Sequence, residues 1–339
     1  MKNYTIDTIK FFAAFAVVVI HTQPFRELDG EIYQTFYFTL RTLSSFAVPF
    51  FFACMGFLFY KKISILDNKF TYTISYLKKI CRYIIIPVII YTIYHISKLL
   101  LSSNPILYIK EFINDITKLE TLYYGIDSAG MYHLWFLLIP LYIIPIIYIF
   151  KNKIKLLTVI FLLFNIVGII LQIYGIDIRV RDALFYGGFY ICLGCCFCIY
   201  EDKIKNIICN ISWKYLIYAF IIFNILQLYE SILAGNRLTY SFSTIFITIV
   251  LFIIFIKNDH ILKDNIINKI GSESLGIYLI HPIIIDIIYL AIYIMNIGHI
   301  SNSIIWQLLF TPIVFVTSYI IYLIINNTYH RIVNTIQKK

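Results

Sequence analysis

Three ionisable residues stand in the first apolar run of the chain: Asp7, Lys10 and His21. A charge inside a lipid-spanning helix costs on the order of 2.5–3.5 kcal/mol on insertion scales, so such residues are candidates for function. Lys10 and His21 are eleven residues apart. In a helix that is three turns, which leaves them within about 20° of one face and about 16 Å apart along the axis. Asp7 precedes Lys10 by three residues and shares the face. The chemistry open to this set is proton transfer by the imidazole at one end and anion binding by the ammonium at the other. The alternatives are an Asp7–Lys10 ion pair at the membrane interface, with Lys10 snorkelling, and a helix-packing hydrogen bond for His21.

A second imidazole, His281, falls near the middle of a late apolar run in Leu275-Gly276-Ile277-Tyr278-Leu279-Ile280-His281-Pro282, with Asp286 about one turn further on. Pro282 loosens the helix at that point. His281 and Asp286 read equally well as functional or structural, and His95 and Lys98 as helix-end residues at the outer interface. Lys78, Lys79 and Arg82 form a basic cluster that could bind the phosphates of a nucleotide-like donor. Anchoring at the cytoplasmic interface against lipid headgroups also accounts for it. Cys192, Cys195, Cys196 and Cys198 have a metal-like spacing, but they lie in an apolar run with no His beside them. Small apolar packing is the better reading, and no metal is expected. The chain contains neither a glycine-rich phosphate loop nor a Gly-x-Ser-x-Gly elbow.

These side chains need elements to hold them, and composition says which kind. Of 339 residues, 60% are hydrophobic and 14% charged, with mean hydropathy +0.83. Soluble domains carry about 45–50% apolar and about 25% charged residues. The chain is too apolar to build a polar shell, which excludes a soluble enzyme, a disordered chain and a secreted disulfide scaffold. Apolar runs near span length point to helices rather than a membrane barrel. Ten helices are expected, over 5–24, 36–60, 78–100, 133–151, 154–174, 182–200, 211–229, 240–257, 272–295 and 303–327. No linker divides them and no repeat is visible, so residues 1–339 read as one all-α, polytopic transmembrane domain. The first run lacks a cleavage site and is read as a retained span.

The basic residues test this count. With the N-terminus cytoplasmic, Lys2, the six basic residues from Lys61 to Arg82, Lys151, Lys153, Lys155, Lys203, Lys205, Lys214, Lys257, Lys263, Lys269, Arg331, Lys338 and Lys339 fall inside, 19 of the 28. Arg26, Arg41, Lys98, Lys110, Lys118, Arg179, Arg181 and Arg237 fall outside. The bias fits ten spans with both termini cytoplasmic. It also explains the net charge of +10 without nucleic acid; the partner is the lipid bilayer. The longest non-spanning stretch, 101–132, has Ile106, Ile109, Ile113, Ile116 and Leu119 at helical spacing with charges between them. That pattern predicts an interfacial or lid helix over Asn104–Thr121, or else a plain spacer.

Several segments, in order, resemble acyltransferase family 3, the multi-span bacterial membrane O-acyltransferases. The first helix of that family carries a basic residue, usually Arg, at this distance before a His; here Ile6-Asp7-Thr8-Ile9-Lys10 precedes His21, with Lys in place of Arg. Val48-Pro49-Phe50-Phe51-Phe52 through Met55-Gly56-Phe57-Leu58 is similar to its second helix, with Met55 where Ser is usual. Lys78 to Arg82 with Pro87, His133-Leu134-Trp135-Phe136-Leu137, Arg181-Asp182 with Phe185 and Gly194, and Gly271-x-x-Ser274-Leu275-Gly276 to His281 resemble later segments. The Lys10 variant and His21-Thr22-x-Pro24-Phe25 resemble the subgroup that includes the membrane domain of vancomycin-resistance serine racemases. Substrate uptake has been suggested for that domain.

The resemblance implies transfer of an acyl group, acetyl being the expected one, from cytoplasmic acyl-CoA to a hydroxyl of a cell-envelope glycan or lipid-linked sugar. It places the protein in the bacterial cytoplasmic membrane. In that reading His21 is the general base, with an acyl-histidine as a variant of the same step. Lys10 is the second catalytic candidate and, with Lys78, Lys79 and Arg82, would hold the phosphates or the thioester carbonyl of the acetyl-CoA donor, while His133, Trp135, Arg181 and His281 would serve the acceptor. A transporter or exporter of a small polar substrate could use the same intramembrane residues, although neither an inverted repeat nor a pair of interrupted helices is visible. A binding or sensory membrane module is the third possibility.

Overall fold

The computed structural model describes residues 3–101, 104–117, 132–176, 183–235, 238, 241–258 and 260–337. In chain order the helices are α1 (Tyr4–Thr22), α2 (Glu31–Leu43), α3 (Ala47–Ile65), α4 (Lys69–Leu101), α5 (Pro105–Thr117), α6 (Trp135–Ile149) and α7 (Ile154–Ile173). They continue with α8 (Gly188–Ile199), α9 (Glu201–Ile208), α10 (Trp213–Leu233), α11 (Phe242–Lys257), α12 (Ile266–Ser272), α13 (Ser274–Ile294) and α14 (Ile304–Gln337). Among the described residues every regular element is helical. In lipid a helix satisfies its own backbone polar groups, and these Ile-, Leu- and Phe-rich runs use that solution.

The protein is an all-α polytopic membrane protein. Among the described residues six helical stretches are long and apolar enough to cross a bilayer: Tyr4–Thr22, Glu31–Ile65, Lys151–Ile173, Trp213–Leu233, Ser274–Ile294 and Ile304–Thr328. Trp135–Ile149, Phe185–Ile199 and Phe242–Lys257 are shorter apolar helices. Each run expected from the sequence contains a helix, and the expected helix in the long outer stretch forms as α5.

Several boundaries differ. α4 starts at Lys69 rather than 78, and α14 runs to Gln337 rather than 327. The run expected from 272 begins on the last residue of α12 and continues, after Glu273, as α13. The run expected as a single helix over 36–60 starts earlier, at Glu31, and is interrupted by a 3-10 turn at Ser44–Phe46. Pro49 explains the interruption. It has no N–H to give the Ser45 carbonyl, so an α-helix cannot continue through this point, whereas proline fits the first turn of α3. The Ser44 hydroxyl turns back onto the Leu40 carbonyl at 2.7 Å. The short helices α9 and α12 are too polar or too brief to register as spans.

Contacts gather the chain into two compact units, Met1–Ser44 with His260–Lys339, and Ser45–Asp259. In the first, α1 packs against α12, α13 and α14. In the second, α3 lies along α8, α7 along α8, and α10 along α11. The α3–α8 contact is as close as helices come. A Cβ on Gly56 would fall 1.9 Å from the Ile191 carbonyl oxygen, and one on Gly194 would fall 1.9 Å from that of Ala53. Small residues facing each other let two backbones touch, the usual basis of helix association in lipid. Phe50, Phe57, Phe197, Phe252 and Phe255 fill the space beside this contact, and the rings of Phe197 and Phe252 stack at 4.7 Å.

Candidate functional site

The first unit positions α1 at both ends. At its start, the Asn3 side chain caps the Ile6 N–H at 2.9 Å. Asn268, on α12, donates to the Tyr4 carbonyl at 2.8 Å and to the Thr8 hydroxyl. The Thr8 hydroxyl also lies 3.1 Å from the Ile261 carbonyl, and the Ile261 N–H donates to Thr5 Oγ1 at 3.0 Å. α12 approaches so closely that a Cβ on Gly271 would lie 1.8 Å from the Asp7 carbonyl oxygen. A Cβ on Gly276 would meet the Tyr322 ring at 2.2 Å. The glycines of the Gly271–His281 segment are therefore contact points that bring α12 and α13 onto α1 and α14.

At this end of α1, Lys10 Nζ lies 3.4 Å from Asp7 Oδ1, with side chains 18% and 9% exposed. The ion pair read as one alternative from the sequence is present. An ammonium has three N–H donors, so a single carboxylate partner leaves it capacity for an anion. The stripe from Lys10 to His21 continues through Ala14 and Val17, both buried and small.

At the far end, Gln23 adopts a left-handed conformation (φ 49°) and sends its N–H to the Val19 carbonyl, and Pro24 stops the helix. The Thr22 hydroxyl donates to the Val18 carbonyl at 2.9 Å, so in its 2.6 Å contact with Thr311 Oγ1 it accepts. Gln307, one turn before Thr311 on α14, accepts from the Phe25 N–H at 2.7 Å and donates to the Ser301 carbonyl at 2.6 Å. Arg41, on α2, donates from Nη1 to the Ile20 carbonyl at 3.2 Å and lies 5.9 Å from the Tyr37 ring centroid. A guanidinium there satisfies a C-terminal carbonyl and complements the helix dipole.

Between these fixings sit the two imidazoles. The rings of His21 and His281 are 5.0 Å apart, centroid to centroid, with 39° between their planes. Tyr278 lies 5.9 Å from His281. His281 is fully buried, and its Nδ1 is 3.1 Å from the Ile277 carbonyl. His21 is half-buried. Two imidazoles in contact, one of them reachable, can take and return a proton without a metal ligand set.

The second unit carries the remaining sequence candidates. Lys78, Lys79 and Arg82 are exposed on α4, and the Lys79 ammonium lies 5.7 Å from the Tyr83 ring. His133 is fully buried just before α6, 5.8 Å from the Tyr91 ring. Trp135 opens α6 within an aromatic group formed by Phe52 at 5.9 Å and Tyr186 at 6.3 Å. Tyr186 belongs to a π-helical turn, Ala183–Gly187, pinned by Asn165, whose amide donates to the Phe185 carbonyl at 2.9 Å. Single π turns recur at functional sites. Arg181 lies outside the described residues. In α8, Cys192 and Cys195 are buried, Cys195 donates to the Gly56 carbonyl at 3.4 Å, and Cys196 lies 3.1 Å from Thr158 Oγ1.

The fold thus joins His21 to His281 and Asp7 to Lys10. Sequence reasoning did not reach Asn268, Gln307, Thr311 or the place of Arg41. The signal available was polarity at buried positions of apolar helices, which marks packing partners as readily as a site.

A family model described as an acyltransferase domain matches residues 3–323. No curated protein and no solved structure matches the chain. The matched span takes in both ends of α1, the imidazole pair, the α4 cluster and the aromatic group around Trp135. The chain belongs to acyltransferase family 3, and the protein is a membrane acyltransferase.

Proposed function

We propose that this acyltransferase moves an acyl group, acetyl in the first instance, from cytoplasmic acyl-CoA to a hydroxyl of a cell-envelope glycan or lipid-linked sugar, in the bacterial cytoplasmic membrane. The observation that carries the reading is the reachable imidazole of His21 held against His281 at a firmly tied helix end. His21 takes the proton of the acceptor hydroxyl. The oxygen attacks the thioester carbonyl, the C–O bond forms and the C–S bond breaks. The proton on His21 then passes to the sulfur, giving the free CoA thiol.

Lys10 binds the donor rather than the reacting carbonyl, because about 16 Å of helix separates it from His21. Lys78, Lys79 and Arg82 are the other candidates for the donor's phosphates. The donor's pantetheine arm would span the distance. Trp135 and Arg181 would meet the acceptor, since an aromatic face and a guanidinium suit a sugar and its charged substituents, whereas His133 is fully buried and would only back the Trp135 side of the site.

Mass spectrometry of envelope glycans tests this. A deletion strain should lack one acyl-sized mass increment. His21→Ala and His21→Gln, expressed at wild-type level, should leave it missing. Wild-type acylation in either variant would overturn the assignment. Acetyl-CoA should also stabilise the purified protein against heat, a response that an amino-acid transporter has no reason to give.

A further inference from the structure

His281 has no exposed surface, whereas His21 does. A sugar hydroxyl can therefore reach His21 while His281 stays behind it, 5.0 Å away. That centroid separation leaves room for one N–H···N hydrogen bond of about 2.9 Å between the ring edges. The orientation of His281 is set from its own helix. A backbone carbonyl only accepts, so the 3.1 Å contact with the Ile277 carbonyl puts the ring proton on Nδ1. The neutral ring then offers its lone pair from Nε2. The next residue, Pro282, cannot donate to the Tyr278 carbonyl, which loosens the helix at this turn.

We propose that His281 is a positioning residue for His21: with Nδ1–H held on the Ile277 carbonyl, its Nε2 accepts a hydrogen bond from the His21 ring while His21 carries the acceptor's proton. The proposal rests on His21 being the base. His281 forms no bond to substrate and ends each cycle as it began. The proton travels from the acceptor oxygen to His21 and from His21 to the thiolate of CoA. A carboxylate could orient a histidine in the same way, but in lipid a neutral imidazole costs far less to bury. The half-buried ring meets the substrate, and the fully buried one fixes its tautomer and angle.

The test uses the purified protein in phospholipid vesicles, with acetyl-CoA as donor and envelope glycan from the deletion strain as acceptor, read by release of the CoA thiol. His281→Leu should lower kcat about 10²-fold while both KM values stay within about twofold, the scale expected for lost acid–base positioning. His281→Gln places an amide oxygen near the former Nε2 and should recover about tenfold of that loss. His281→Asn can still donate to the Ile277 carbonyl but is too short to reach His21, so it should behave like the Leu variant. If the Leu variant does not fold, the Gln–Asn comparison decides alone. Equal activity of the Gln and Asn variants would overturn the proposal. So would a raised KM for the glycan at unchanged kcat, since that marks direct acceptor contact. His21→Ala runs beside them. Activity there removes the base itself, whereas a dead His21→Ala beside wild-type-like His281 variants removes only this inference.

Discussion

At the start of α1, a buried ion pair and a donor-binding role compete for one ammonium. Lys10 is held by Asp7, which is itself nearly buried. Lys10→Met should therefore do two things. It strands a carboxylate, lowering stability by about 1–3 kcal/mol, and it raises the KM for acetyl-CoA about tenfold if the ammonium holds donor phosphate. The double variant Asp7→Asn/Lys10→Met separates these effects. Thermal unfolding in detergent should return towards wild type while the donor KM stays high; a donor KM that recovers with stability would make Lys10 purely structural. At the other end of α1, Thr311→Val removes the hydroxyl proton that Thr22 accepts, at nearly constant shape. The expected loss is about 1 kcal/mol, read as a lower unfolding midpoint.

At the scale of the helix, three of the motif glycines, Gly56, Gly194 and Gly271, are places where backbones touch. Gly271 faces the backbone of Asp7, and Gly194 with Gly56 closes α8 onto α3. A side chain at any of these must push one helix away from the other. Gly194→Ala should cost about 1–3 kcal/mol by overpacking. Gly271→Ala acts on the helix that carries both Asp7 and His21, so it should lower kcat as well as stability. A Gly271→Ala enzyme with unchanged turnover and unfolding midpoint would show that α12 yields without disturbing α1. The break between α2 and α3 belongs to this scale too. Hydropathy alone sees an uninterrupted apolar run near residues 36–60, and a single missing N–H at Pro49 divides it.

For the molecule as a whole, the distribution of basic residues predicts that both termini and the loop after α9 face the cytoplasm. Cys209 lies in that loop with an exposed thiol, whereas Cys54, Cys192 and Cys195 are buried. A membrane-impermeant maleimide should therefore label Cys209 in inside-out vesicles and leave it unlabelled in intact cells. The reverse pattern would invert the topology and, with it, the side on which the donor is expected. The first compact unit joins residues near the start of the sequence to those beyond 260. That is why the motif around His21 and the motif around His281 come together despite the length of chain between them.

The sequence by itself determined what depends on composition and period. An apolar excess with span-length runs requires helices in lipid, and the spacing of Asp7, Lys10 and His21 places them on one helical stripe. The ordered motifs also led to the family. The sequence singled out His21 and His281 separately but had no means to join them, because a one-dimensional pattern carries no information on which helices pack. Only the tertiary structure decided that α13 lies against α1, and that an Asn, a Gln, two Thr and an Arg fasten the helix holding His21. These polar side chains sit in apolar runs where hydropathy averages them away. In lipid, though, where apolar surface gives helices little reason to choose one another, directional bonds and close glycine contacts select the partners.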